Sequence, residues 1–365
     1  MVCYTVNNLD PWSISQLLGK EPDALTDMSL TLFTLKRLAG LVTLLLVLSV
    51  LVFFFTRAIP GDVAALYVGG NAKPQQIEQA RLELGLDKPL YIQYMRYMGK
   101  LFQGDMGLSL RTHRPVLKDL SEKIPMSLEL VLLALVLAIL LGIPLGGLAA
   151  IKQDSWVDEM IKWFTATAVS LPIFFLALLL QLLFFDQLGW FPLQGRLDSM
   201  LEFTHPIDLI TGFSIVDSLV SGNYTAFFNV AWHMVLPAVA LSLGPLGFIA
   251  RLTRSSLLEV MTQDYILAAR AAGISEGCLY FRYGLRNALS PILTVIGLMV
   301  ALLMLNTFFV EMIFNWPGIG YYALIAITSL DFPALMGVTF TIGTIYVLAN
   351  TATDIVRRLV DPRIK

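Results

Sequence analysis

Long uncharged stretches alternate with polar segments along the chain, and their lengths set the prediction of fold. A helix needs about 20 predominantly apolar residues to cross the hydrocarbon core of a bilayer, which is roughly 30 Å thick. Uncharged runs near that length occupy positions 38–56, 130–151, 163–185, 234–250, 287–310, 312–330 and 332–353. The pattern predicts an all-α, polytopic membrane protein, because helices satisfy every backbone polar group within lipid.

The run at 312–330 differs from the others in its first half. Pro317, Gly318 and Gly320 lie close together there, and this composition breaks a helix. The remainder, 321–330, is too short to cross a bilayer. We therefore predict a turn followed by an interfacial helix at this point, and six transmembrane helices in the whole chain.

Basic residues mark one side of the predicted membrane. Lys36 and Arg37 precede the first span, and five arginines lie between the fourth and fifth spans. By contrast, the segment 186–233 contains a single Lys or Arg residue, Arg196. The last span is followed by Arg357, Arg358, Arg363 and Lys365. Because Lys and Arg concentrate in short cytoplasmic segments, both termini are predicted to be cytoplasmic.

The polar segments give the predicted domain organisation. A cytoplasmic N-terminal segment covers 1–37, a transmembrane domain covers 38–356, and a cytoplasmic tail covers 357–365. Within the domain, 59–125 is too long for a hairpin and carries regularly spaced apolar residues, so we predict an external subdomain there. The segment 251–290 forms a cytoplasmic loop.

Composition excludes several classes of protein. The chain is 56% hydrophobic and 14% charged, with mean hydropathy +0.72, whereas a soluble domain carries about 25% charged residues. The net charge of −2 provides no basic surface for nucleic acid. Cys3 and Cys278 are far apart, as are the histidines, so we predict neither a disulfide framework nor a metal site.

No sequence feature indicates that this chain binds ATP or catalyses a reaction. A phosphate-binding loop requires the pattern G-x-x-x-x-G-K-[ST], but Gly19-Lys20 and Gly99-Lys100 are followed by other residues. The six predicted spans contain no ionisable residue, which disfavours an ion-coupled secondary transporter without removing that alternative. Transport would then depend on energy supplied by a partner.

The cytoplasmic loop carries the most informative local pattern. Asp264 is predicted to cap a helix over 265–272, and Gly273 to end it. Ser275 is predicted to cap a second helix that runs toward Pro291. The alanines of the first helix leave a low-relief surface that fits either a partner protein or a lipid surface.

These residues resemble a known loop. Asp264-Tyr-Ile-Leu-Ala-Ala-Arg-Ala-Ala-Gly273, followed by Arg286-Asn-Ala-Leu-Ser-Pro291, is similar to the cytoplasmic "EAA" loop of ABC-importer permeases. It is most similar to the dipeptide, oligopeptide and nickel branch. Leu267 occupies the position of the general motif's Glu, and Pro291 lies further from Gly273 than in that motif. Both departures look usual for the permeases of the peptide branch. Shorter and individually weaker matches to the same branch follow in the expected order, from about Leu30 to the last span.

The resemblance implies a function and a set of partners. The chain would form half the translocation pore of a bacterial inner-membrane importer of dipeptides or short peptides. Its partners would be a second homologous permease subunit, an extracytoplasmic binding protein, and two ABC ATPase subunits that use ATP and Mg. The chain itself would hold no cofactor. The loop residues implied in coupling to the ATPase are Asp264, Tyr265, Ala268, Ala269, Arg270, Gly273 and Arg286.

Two residues near the outer end of the fifth span are candidates for the translocation path. Asn306 is the best single candidate for lining a path, although hydrogen bonding between helices is the favoured explanation for polar residues within apolar runs. Glu311 could gate the external mouth or contact a peptide N-terminus, but a capping or structural role beside the Trp316-Pro317 turn is favoured over these. Nickel, glutathione or antimicrobial peptides are alternative cargoes in the same family.

Overall fold

The computed structural model describes residues 24–58, 63–68, 72–83, 85–208 and 210–360, and none of these lies in a β-strand. Residues 1–23 and 361–365 of the predicted terminal segments, and residues 59–62 at the start of the predicted external subdomain, lie outside the described residues. The helices are α1 (Ala24–Ala58), α2 (Val63–Val68), α3 (Pro74–Glu83), α4 (Leu90–Phe102), α5 (Val116–Ile151), α6 (Trp156–Ser170), α7 (Ile173–Leu180), α8 (Ser199–Thr204), α9 (Ser214–Val220), α10 (Tyr224–Met261), α11 (Asp264–Ala271), α12 (Glu276–Cys278), α13 (Leu285–Ile313), α14 (Ile319–Thr328) and α15 (Phe332–Val360).

Long apolar helices confirm the predicted all-α, polytopic architecture. Four stretches are long and apolar enough to cross a membrane: α5, α10, and the parts of α13 and α15 at Pro291–Ile313 and Phe332–Thr353. The pair α6 and α7 would form a fifth span if its two bent halves are counted together. The apolar part of α1, Ala39–Phe55, is shorter. The number six therefore stays a prediction.

The third predicted span, 163–185, is not one helix. It is divided between α6 and α7, whose axes differ by 108° at the break. Pro172 causes the interruption because it has no N–H and restricts the residue before it; Leu171 is extended, with ψ 134°. By contrast, Pro237 and Pro245 lie inside the unbroken α10.

The interrupted run near the C-terminal end folds as its composition predicts. Helix α13 ends at Ile313, Asn315 adopts a positive φ of 48°, and the ten-residue α14 follows. A turn and a short helix therefore replace a seventh span.

Close backbone contact between helices forms the centre of the bundle. Helix α5 packs along α10, where a Cβ on Gly142 would lie 3.0 Å from Ile249 and one on Gly146 would overlap the Ala250 carbonyl oxygen. A Cβ on Gly247 would lie 2.8 Å from the Thr165 carbonyl oxygen of α6. Small residues thus allow α5, α6 and α10 to approach closely.

The predicted external subdomain is helical and attached to the bundle at two places. Helix α4 contacts α1, where the Tyr94 hydroxyl lies 2.9 Å from the Ser49 hydroxyl. The turn after α4 contacts the start of α15, because Ser109 Oγ donates to the Asp331 carboxylate over 2.5 Å. Helix α5 begins at Val116, so the boundary predicted at residue 125 falls inside a continuous helix.

Candidate functional site

The loop predicted to be cytoplasmic begins with a tight connection between α10 and α11. Thr262 N–H and Gln263 N–H donate to the carbonyls of Glu259 and Val260 at 3.3 and 3.1 Å. Gln263 precedes the helix, and Asp264 is already its first residue. The predicted cap at Asp264 is therefore wrong, although a carboxylate in the first turn is still favoured by the helix dipole.

Helix α11 ends as predicted at Gly273. This residue has φ +81°, a conformation that glycine adopts at little cost. Gly273 N–H donates to the Arg270 carbonyl at 3.0 Å, and Ile274 N–H donates to the Ala269 carbonyl at 3.2 Å. These two bonds form a Schellman motif, which satisfies carbonyls that the helix end would leave unpaired.

The two faces of α11 have different environments. Ile266 is buried against a cluster containing Leu257 and Leu279, and the half-buried Ala269 packs against the same cluster. The outward face is made of exposed residues: Tyr265, Leu267, Ala268, Ala271 and Ala272. Ala268 is therefore open to a partner, whereas Ala269 mainly supports the helix from within its own chain.

Side-chain hydrogen bonds hold α11 against the segment that follows. Arg270 Nε and Nη2 donate to the two carboxylate oxygens of Glu276 at 2.7 and 3.2 Å, and this pairing raises the pKa of Arg270. Asn287 Nδ2 donates to the Tyr265 hydroxyl at 3.0 Å. Arg286 is exposed. The loop is thus a folded unit with charge at its rim.

The predicted second helix does not stop at Pro291. Ser275 occupies the N-cap position but makes no side-chain capping bond. After α12 the backbone continues through a π-helical turn, Leu279–Gly284, directly into α13. Pro291 is exposed and lies inside α13, although its missing N–H removes one hydrogen bond of the helix. From residue 276 the end of this loop and the predicted fifth span therefore form one continuous run of helix.

Glu311 has a structural environment in this chain. Its side chain is fully buried; it accepts a hydrogen bond from Ser127 Oγ at 2.5 Å and one from Tyr321 N–H at 3.0 Å. Ser127 Oγ in turn accepts from Ile319 N–H at 2.7 Å. Both side chains satisfy the first N–H groups of α14, which is the capping alternative. The other path candidate, Asn306, is half-buried on α13.

Sequence reasoning missed that Glu311 belongs to a set of buried acids near the segments predicted to be external. Glu129 accepts from Ser214 and Ile215 N–H at 3.1 and 2.6 Å. Asp217 is fully buried, yet hydrogen bonds from Thr211 and its neighbours outweigh this burial and hold the pKa of the carboxyl below its usual value. In the sequence, an acidic residue next to an apolar run is only a weak sign that its carboxylate is buried. The Gly- or Ser-containing turn that donates hydrogen bonds to it can lie far away in the chain.

The described residues form a bundle of long apolar helices with one short, alanine-faced helix between two of them, which is the architecture of a polytopic membrane protein. Sequence comparison agrees with this class. Residues 142–365 match the family described as "Binding-protein-dependent transport system inner membrane component", and residues 30–131 match the corresponding N-terminal family. The chain belongs to this family of inner-membrane transport components.

Several curated relatives cover nearly the whole chain. The "Probable D,D-dipeptide transport system permease protein DdpB" of Escherichia coli is 42% identical, over 90% of this chain and 96% of the relative. The dipeptide transport system permease protein DppB of Alkalihalophilus pseudofirmus is 38% identical over 91% and 99%. The di/tripeptide transport system permease protein DppB of Pseudomonas aeruginosa is 39% identical over 91% and 98%. Members of this family are membrane components rather than the ATPase.

Proposed function

We propose that this chain forms one half of the translocation pore of an ATP-driven importer of dipeptides or short peptides. The observation that carries the proposal is the outward face of α11, where Ala268, Ala271 and Ala272 are exposed on a helix fixed rigidly to the end of α10. Relatives named as dipeptide and di/tripeptide permeases support the choice of substrate. Nickel, glutathione and antimicrobial peptides find no such support among those names.

The proposed mechanism assigns each loop residue a part in coupling. The alanine face and Tyr265 dock into a cleft of an ATPase subunit, with Ala269 and Gly273 fixing the shape of the helix. Asp264, Arg270 and Arg286 supply charge at the rim. Closure of two ATPase subunits around ATP and Mg²⁺ then draws the two permeases' loop helices together and opens the pore outward.

The remaining parts of the proposal concern the route of the peptide. A second homologous permease completes the pore, and an extracytoplasmic binding protein delivers the substrate to the external surface. Asn306, half-buried on α13, is proposed to line the path because its amide can hydrogen-bond a peptide group. The chain acts by conformational change and holds no cofactor of its own.

Reconstituted transport tests the proposal. The complete assembly is placed in proteoliposomes with the binding protein outside and ATP inside, and uptake of a radiolabelled dipeptide is measured. We expect dipeptide uptake to require both ATP and the binding protein. We also expect that Ni²⁺ and glutathione do not compete with the dipeptide for uptake. Uptake driven by a proton or sodium gradient without ATP would instead identify a secondary transporter.

Thiol labelling tests the proposed cytoplasmic position of both termini. In a background with Cys3 and Cys278 replaced by serine, single cysteines replace Gln103, Ser221 and Ser275, which are all exposed. We expect an impermeant maleimide added to intact spheroplasts to label positions 103 and 221, and position 275 only after lysis. Labelling of 275 in intact spheroplasts would reverse the orientation.

A further inference from the structure

A buried ion pair joins the beginning of α6 to the last turns of α10. Arg254 Nε and Nη2 each donate to one Asp158 carboxylate oxygen at 2.7 Å, a bidentate arrangement. The Asp158 side chain is 0% exposed, and the Arg254 side chain is 21% exposed. Lys162 Nζ lies 3.0 Å from the same carboxylate, and Asp154 N–H donates to it at 3.1 Å. The carboxylate is thus fully satisfied.

This geometry resists separation of the two helices. A bidentate guanidinium–carboxylate pair fixes both distance and relative orientation. Moving α10 away from α6 would leave a buried carboxylate without its main counter-charge, which is strongly unfavourable. The first turn of α6 must therefore follow any displacement of the end of α10.

The end of α10 is also rigidly connected to the docking helix. Arg254 lies within the same uninterrupted helix as Met261, about two turns before its end. Two residues separate α10 from α11, and Ile266 of α11 packs into one cluster with Leu257 and Met261. A force on α11 is therefore delivered to Arg254 without a flexible linker between them.

The other end of α6 leads to the outer part of the bundle. Helix α6 follows α10 closely as far as the contact between Thr165 and Gly247, and the chain then turns by 108° into α7. Helix α7 packs against α13, and Gln181 just after it donates to the Ile313 carbonyl at 3.2 Å. Through α7 the cytoplasmic end of α6 is connected to the outer end of α13.

We propose that Asp158 and Arg254 are positioning residues for coupling: they form a strut that transmits displacement of α11 to α6, and through the bend at Pro172 to α7 and α13. The pair touches neither nucleotide nor peptide. It determines how far movement at the ATPase-facing loop reaches the helices that border the path. This inference rests on the proposed docking role of α11.

The coupling ratio, peptide transported per ATP hydrolysed, tests the strut in the reconstituted assembly. In Asp158→Asn we expect the ATPase subunits to copurify normally and ATP hydrolysis to continue, while the ratio falls at least fivefold. Arg254→Lys retains the charge but loses the bidentate geometry, so its ratio should fall by a smaller factor. Glu159→Gln is the matched control: its exposed carboxylate lies one residue further along α6 and pairs with Lys162, and the ratio should stay unchanged.

Other outcomes overturn the proposal. Equal losses of hydrolysis and uptake, with the ratio preserved, would show that the pair only maintains the fold. Loss of the assembled complex in both Asp158→Asn and Arg254→Lys would show the same. If ATPase subunits remain bound to the docking-face variant Ala268→Arg, the docking role itself fails, and that result is independent of the coupling ratio at positions 158 and 254.

Discussion

Replacing Ala268 with arginine is expected to abolish both the copurification of ATPase subunits and ATP-driven uptake. Ala268 is exposed on the outward face of α11, so the substitution leaves the chain's own packing intact. In a docked complex the larger side chain would overpack the interface, at a cost of ~1–3 kcal/mol, and an unpaired buried guanidinium would add to this. Because about 1.4 kcal/mol corresponds to a tenfold change in affinity, association should fall more than tenfold.

The control for this prediction is Ala268→Ser, which keeps the side chain small and should retain partner binding and transport. Abundance and melting temperature of the isolated permease should be unchanged in both variants. A helix that lies on lipid would tolerate or favour arginine. Normal copurification and uptake in Ala268→Arg would therefore refute the docking surface. Ala269→Arg is less informative, because the half-buried Ala269 packs against the chain's own cluster.

Replacing Glu311 with alanine is expected to destabilise the fold at the start of α14. The change removes the acceptor for Ser127 Oγ and Tyr321 N–H within a fully buried site. Unsatisfied buried donors cost about 1–3 kcal/mol each, so the free energy of unfolding should fall by roughly 3 kcal/mol. Thermal unfolding in detergent, followed with a thiol-reactive dye, measures the change.

Two further variants separate capping from a role in transport. Glu311→Gln keeps one acceptor oxygen and should lose less stability than the alanine variant. Glu159→Ala removes an acid that is 58% exposed, and surface changes of this kind usually stay within about 0.5 kcal/mol. If Glu311→Ala melts like the parent protein but fails to transport peptide, Glu311 acts on the path rather than on α14.

The features that could be predicted from sequence depend on local chemistry. The length of the apolar runs identified the long helices, because backbone N–H and C=O groups without hydrogen bonds are very costly in lipid and a helix pairs all of them. Pro317 with its neighbouring glycines indicated the turn before α14. Gly273 indicated the end of α11, because a positive φ is easily reached only by glycine. Each of these signals acts within a few residues and needs no knowledge of distant contacts.

The features that were missed depend on contacts between distant segments. Pro172 could equally have kinked or broken its helix; the 108° turn is accompanied by packing of α7 against both α10 and α13. Which alanine of α11 faces outward was undetermined until the cluster around Ile266 fixed the helix rotation. The acid–arginine pair at 158 and 254 joins segments that sequence spacing does not relate.

The length of α10 bears on where its end would lie relative to a membrane. Met261 lies ten residues beyond Arg251 in the same uninterrupted helix, which at about 1.5 Å per residue is roughly 15 Å. The headgroup layer adds only about 5–8 Å to each side of the hydrocarbon. If Arg251 lay at the hydrocarbon edge and α10 along the membrane normal, Met261 would lie beyond the headgroups. A protein could then reach the outward face of α11 without displacing the membrane.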